Sequence, residues 1–296
     1  MAEYSLLGFD FDLSDRKLTI IYLLVVVALI GVLILILNQV IMPREVYTES
    51  ENVTLTTRDG WEIGGTWYEG GEKGVILLHM WNSHRFDQDT NDEVQKIPRL
   101  AERLQENGYS VMTIDMRGHG ESTTKVDEDG TITHNDLIDD SSNDPEENDF
   151  IKMKYDVEAA ADYLQEKSNI TKLGIVGAEL GANIALRYTD IGSPDTLVLI
   201  SPRNSLATMY WKGVRITGAN RNYENPVLYM ASKYRSGGLP SRSYNSIDIE
   251  SDHGLFGESP SEEKDAIILE EDAGRGTRML NETLEEDIVE WFDEYL

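Results

Sequence analysis

The chain has 296 residues, enough for one large domain or two small ones, and 40% of them are hydrophobic, ample for a packed core. Lys and Arg total 26 against 54 Asp and Glu, a formal net charge of -28, which argues against a nucleic-acid partner because a polyanion would be repelled. There is no cysteine, so disulfides, thiolate metal sites and a cysteine nucleophile are excluded. The acidic, Lys-poor balance suits a protein hydrated in high salt, as in a halophilic archaeal source, and equally an ordinary acidic protein.

Residues 1–17 read as a short cytoplasmic tail. Residues 18–41 read as a transmembrane signal anchor. Its apolar run "LTIIYLLVVVALIGVLILIL" carries no charge, and about 20 residues at about 1.5 Å each span a bilayer core of about 30 Å. The run is longer than the apolar region of a cleaved signal peptide, and "NQVIMPREV" follows it rather than a small-residue cleavage site. Arg16 and Lys17 precede the span, whereas Arg44 is followed by Glu45, Glu49 and Glu51. This charge bias places the N-terminus in the cytoplasm and the rest of the chain outside, at the cell membrane. Sequons at Asn52, Asn169 and Asn281 suit that orientation but are close to chance in number.

After a linker at 42–50, residues 51–296 read as one folded domain. "NVTLTT" and "WEIGGTWYE" alternate apolar and polar residues around Asp59-Gly60, a hairpin signal. "GVILLHM" and "YSVMTIDM" are continuous apolar runs of the kind buried on both sheet faces, and "IPRLAERLQENG" between them has helical spacing with a glycine stop. Residues 127–149 hold ten acidic side chains among Ser, Asn and Gly. They read as a solvated loop, and the spacing lacks an EF-hand pattern for a metal. "DFIKMKYDVEAAADYLQEK" predicts an amphipathic helix, "KLGIVG" a strand and "LGANIALRY" a helix. "DTLVLIS", "PVLYMAS" and finally "NSIDIE" predict strands, and "MLNETLEEDIVEWFDEYL" a closing helix. Strands alternating with helices predict a mostly parallel sheet covered on both faces. The short segment between "LVLIS" and "PVLYM" leaves little room for a lid.

Four stretches in this order resemble the α/β-hydrolase superfamily, in particular its dienelactone-hydrolase-like and serine-esterase-like members: "LLHMWNSHRFD", "GYSVMTIDMRGHGES", "GAELGAN" and "DHGLFG". The resemblance runs from about residue 51 to the end of the chain and implies the α/β-hydrolase fold. It sets Glu179 at the position of the nucleophilic serine and His253 at that of the catalytic histidine. The backbone amides of Met80 or Trp81 and of Leu180 fall at the oxyanion-hole positions. The triad acid is missing: the expected turn reads "SKYRSGG", with Lys233 or Tyr234 in its place, and the alternative turn reads Pro202-Arg203-Asn204. Arg117 and His119 in "MRGHGES" are expected to structure their loop. The Ser83-His84 neighbours are not expected to act as a dyad. Ser201 is expected to be a turn residue, and Trp61, Trp67, Trp81 and Trp211 to pack.

A serine attacks an acyl carbon because histidine takes its proton and an acid orients the histidine. A glutamate cannot act that way. One methylene longer than aspartate, it would reach toward the oxyanion hole instead. A helix N-terminus favours an anion there by roughly 0.3–1 kcal/mol, and a structural pair of Glu179 with His253 is the expected contact. The function expected is a membrane-anchored pseudoenzyme acting as a binding or assembly module at the cell surface, with a protein partner and no cofactor. The alternative is an active hydrolase of small acyl substrates using other residues.

Overall fold

The continuous apolar runs become the inner strands of a ten-stranded sheet, because a strand buried on both faces needs no polar alternation. The computed structural model describes residues 4–6, 9–11, 20, 24–31, 49–86, 95–127, 129–130, 132–134, 148–203, 222–250 and 254–296. The chain divides into two units, Met1–Val46 and Tyr47–Leu296.

In the first unit, β1 (Tyr4–Leu6) and β2 (Phe9–Phe11) pair as an antiparallel hairpin. Residues 24–31 are helical (α1). Leu24, Val27 and Leu29 are each more than 60% exposed. Most of the span expected at 18–41 lies outside the described residues, and among those described no helix is long and apolar enough to cross a membrane.

In the second unit, β3 (Ser50–Thr56) and β4 (Trp61–Tyr68) form the expected hairpin. The Thr57 Oγ1 hydroxyl donates to Asp59 Oδ1 at 2.7 Å, closing the turn that Gly60 makes with φ at +90°. β5 (Lys73–Leu78), α2 (Lys96–Glu106) and β6 (Tyr109–Ile114) follow as one parallel unit. β7 (Thr124–Val126) and β8 (Ile132–His134) extend one edge beyond β4. Residues 135–147 of the acidic loop lie outside the described residues, and no cluster that could hold a metal occurs among those described.

The helix expected over 149–167 is broken at Met153 into α3 (Asp149–Lys152) and α4 (Lys154–Ser168). Asn148 caps the first piece by accepting from the Phe150 and Ile151 amides at 3.0 and 3.3 Å. β9 (Lys172–Ala178), α5 (Leu180–Tyr188), β10 (Thr196–Ile200) and β11 (Val227–Ser232) lie where their sequences predict.

"NSIDIE" is not a strand. Its first residues end α6 (Arg242–Ile247), because Ser241 caps that helix by accepting from the Tyr244 amide at 3.0 Å. Of the two isoleucines that suggested alternation, Ile247 is fully buried while Ile249 is 41% exposed. Before α6, β12 (Tyr234–Arg235) and β13 (Leu239–Pro240) pair as a short antiparallel hairpin, and the last strand is β14 (Lys264–Leu269), which follows the short helix α7 (Leu255–Glu258). As an edge strand, β14 is only half buried, and its sequence lacks the strong apolar run of the inner strands. The helix α8 (Glu282–Tyr295) closes the fold, capped by Asn281, whose Oδ1 accepts from the Leu284 amide at 3.0 Å.

The strand order is β14-β11-β10-β9-β5-β6-β4-β7-β8, with β3 beside β4. The run from β14 to β6 is parallel. Alternate residues of β5 feed two cores. Ile76 and Leu78 join Val157, Ala160 and Leu164 of α4 and Ile184 of α5. Val75 and Leu77 join Leu100 and Leu104 of α2 and Ile288 and Phe292 of α8. Each such side chain, fully buried, contributes roughly 1.5–3 kcal/mol. This two-sided burial fixes β5, β9 and β10, and their C-terminal ends carry the candidate site.

Candidate active site

The turn between β9 and α5 is forced by two close approaches. A Cβ at Gly177 would lie 2.3 Å from the Gly181 carbonyl oxygen, and one at Gly181 would lie 2.5 Å from the Leu78 carbonyl oxygen. Glycine at both places lets α5 press onto β5 and β9. The residue between them, Glu179, is left with φ of 48° and ψ of -101°, a backbone conformation that non-glycine residues rarely adopt. This is the sharp strand-to-helix elbow that lifts a nucleophile above the sheet in G-x-S-x-G hydrolases. Its backbone is anchored on both sides: the Glu179 amide donates to the Ile200 carbonyl at 2.8 Å, and the Glu179 carbonyl accepts from the Asn183 amide at 3.2 Å.

The Glu179 side chain is 3% exposed. Its Oε1 lies 3.4 Å from Arg203 Nη2 and 3.3 Å from Arg275 Nε. Arg203 comes from the turn after β10, where its amide donates to Asn183 Oδ1 at 3.1 Å. Arg275 comes from the loop after β14. Ser201 pins that loop, accepting on Oγ from the Gly276 amide at 2.9 Å. Gly276 itself has φ of +55°, and a Cβ there would lie 3.1 Å from Met80 Sδ and 3.2 Å from Glu179 Cγ. The turn after β10 and the loop after β14 thus close over the elbow, each bringing an arginine. Burial, then the charges of Arg275 and Arg242, push Arg203 below its ordinary pKa, and only Glu179 opposes them. A guanidinium stays protonated regardless.

The sequence-predicted residues divide clearly. Met80, Glu179 and Leu180 meet above the paired ends of β5 and β9, with Trp81 next to Met80 and its ring edge-on to His119 at 5.1 Å. His253 lies outside the described residues, as does Trp211. The carboxylate-free turn at Ser232–Gly238 holds no substitute acid: Lys233 Nζ pairs outward with Glu270 at 2.8 Å. Arg203 was visible in the sequence only as a missing carboxylate. Arg275 gave no signal, because nothing local ties "AGRGT" to a residue nearly a hundred positions away.

The "DMRGHGES" stretch proves architectural. The Asp115 carboxylate accepts from the Arg85 amide at 2.6 Å and the Glu121 amide at 2.9 Å, and it pairs with the buried Arg85 guanidinium. Ser122 Oγ donates to the Asp115 carbonyl at 2.6 Å and accepts from the Gly64 amide at 2.9 Å. Arg117, fully buried, bridges Asp156 at 2.7 Å and Asp59 at 2.7 Å. His79 Nδ1 donates to the Met80 carbonyl at 2.8 Å, which leaves Nε2 to accept from the Met116 amide at 3.0 Å. Burial and the neighbouring His119 push His79 down to about 3, and burial lowers His119 as well. Both rings are therefore neutral structural groups at pH 7. His84 is no dyad partner for Ser83: its Nδ1 accepts from the Phe86 amide at 3.2 Å.

Chemically, two guanidinium groups against one buried carboxylate make a site that can hold an anion. Arginine cannot take a proton, and both guanidinium groups face the same Glu179 oxygen, Oε1, while Oε2 has no hydrogen-bond partner among the described residues.

The comparisons agree with this architecture. Residues 90–223, 134 of the 296, match the family model of serine aminopeptidase S33, a stretch that includes the elbow and the Asp115 loop. Solved structures share the fold at low identity. The esterase Pf2001 of Pyrococcus furiosus is 17% identical with a TM-score of 0.62, over 86% of this chain and 95% of that one. Est1E of Butyrivibrio proteoclasticus, solved with ferulic acid bound, is 15% identical with a TM-score of 0.58, over 82% of this chain and 98% of that one. An acetyl xylan esterase from Paenibacillus is 12% identical with a TM-score of 0.58, over 83% and 84%. No curated protein sequence matches. Element order, sheet topology and the strained elbow, together with these likenesses, show that the chain has the α/β-hydrolase fold.

Proposed function

We propose that this chain is a membrane-anchored α/β-hydrolase-fold protein that does not hydrolyse esters and works as a binding module at the cell surface. The observation that carries the reading is the pair of arginines on Glu179. Arg275 stands against the elbow residue from the loop after β14, and Arg203 stands at a turn that could have held the acid. Where a nucleophile and an orienting acid are expected, the described residues hold one carboxylate and two guanidiniums. The ion pair keeps the elbow closed on itself. The anchor rests on the uncharged run at 18–37 and on the exposed apolar side chains of α1, which water alone would not favour. The charge bias around that run puts the domain outside.

The neighbours' esterase titles make esters the substrates to test. The experiment is turnover of short-chain p-nitrophenyl esters by the purified full chain in detergent. The expected rate equals that of buffer. Turnover that survives repurification and scales with protein concentration overturns the reading.

A further inference from the structure

Beside the elbow lies a cavity of about 420 Å³ that this fold's triad chemistry does not explain. Among the described residues its wall carries Arg203, Arg235, Arg242, Arg275 and Arg278, with Asp272 as the one acidic residue, and three serines and a glycine. Five guanidiniums around one cavity are out of keeping with a chain of 54 acidic and 26 basic residues. In such a chain an arginine placed at random meets carboxylates. Here Asp272 turns to the backbone, accepting from the Gly274 amide at 3.3 Å. Glu179, behind Arg203 and Arg275, supplies the only other negative charge described at this site.

The donors are also left over. Arg203 is 8% exposed, yet its Nε and Nη1 find no hydrogen-bond partner among the described residues. Arg235 and Arg242 make no ion pair among the described residues. Buried donors without partners, in a wall of like charges, fit a missing acceptor. Guanidinium forks match the paired oxygens of phosphate and carboxylate groups, and each such bond is charge-assisted.

We infer that this cavity binds a small, multiply charged oxyanion, a phosphoester or a polycarboxylate, with Arg203 as its buried anchor. This deepens the binding-module reading and rests on it, by naming the ligand class of the same site. Glu179 then acts as an internal counter-ion: it partly neutralises Arg203 and Arg275 while the cavity is free and competes with the ligand for them.

The test is calorimetric titration of the full chain in detergent with pyrophosphate and with citrate, at constant ionic strength set by KCl. At least one is expected to bind. Pyrophosphate alone assigns phosphate chemistry, citrate alone assigns carboxylates, and both together support the shared oxyanion chemistry. The double variant Arg235→Ser/Arg242→Ser removes two exposed arginines and is expected to weaken binding at least about tenfold while leaving the melting temperature of the free protein unchanged. Glu179→Gln removes the competing anion and is expected to tighten binding by about tenfold. Heats no larger than those of matched KCl, or affinities that neither variant changes, overturn the inference. Ester turnover by the same preparation would overturn the binding-module reading and leave the anion measurement standing, so the two failures are distinguishable.

Discussion

Glu179 is the residue on which the site turns. A buried carboxylate facing one buried and one half-exposed guanidinium is costly to break from either side, since the partner left behind keeps its charge without water. Glu179→Gln is therefore expected to lower stability by about 3 kcal/mol, most of it from stranding Arg203; denaturant unfolding of the variant at pH 7 measures it, and an unchanged midpoint would mean that the pair contributes nothing. His79 makes a second residue-scale prediction. It is fully buried with its ordinary pKa pushed down to about 3, whereas the unfolded chain titrates near 6.5. Below 6.5 the unfolded state binds the extra proton, so stability is full above that pH and falls as pH drops toward 3. By pH 5 the loss from this one histidine is about 2 kcal/mol. His79→Gln, which can still donate and accept one hydrogen bond each, is expected to flatten the difference in unfolding midpoint between pH 7.5 and pH 5. How far these residues were legible differs. Glu179 stood out because it replaces one letter of a known elbow pattern. Arg203 and Arg275 did not, because their meaning comes from contacts 24 and 96 positions away that no local pattern encodes.

At the scale of elements, the elbow depends on the fit of α5 against β5 and β9. Gly181→Ala would put a methyl 2.5 Å from the Leu78 carbonyl. The helix must shift to relieve it, which is expected to cost about 1–3 kcal/mol in thermal or denaturant unfolding; a neutral result would show that the close approach is slack. The same scale explains which elements could be read in advance. β5, β6, β9, β10 and β11 are buried on both faces, so their apolar runs were unambiguous. "NSIDIE" misled because the Ile247 and Ile249 spacing mimics a strand, while the deciding signal was the Ser241 cap a few residues earlier. β14 escaped notice because an edge strand needs only partial burial, and "KDAIIL" carries as much charge as a loop.

At the scale of the whole molecule, a charge of -28 and an apolar N-terminal run pull toward different solvents. The proposed anchor reconciles them by giving the run to a bilayer and the acidic domain to water. The full chain expressed in cells is therefore expected to stay in the membrane fraction after an alkaline carbonate wash, and release into the wash would contradict the anchor. The domain keeps a hydrolase's sheet, elbow and loop architecture while its elbow holds an ion pair. The most direct measurement of that claim is intact-mass analysis of the purified full chain after incubation with a fluorophosphonate probe. The expected result is an unmodified mass, because no serine is paired with a base at the elbow among the described residues; a stoichiometric adduct on any serine would contradict it.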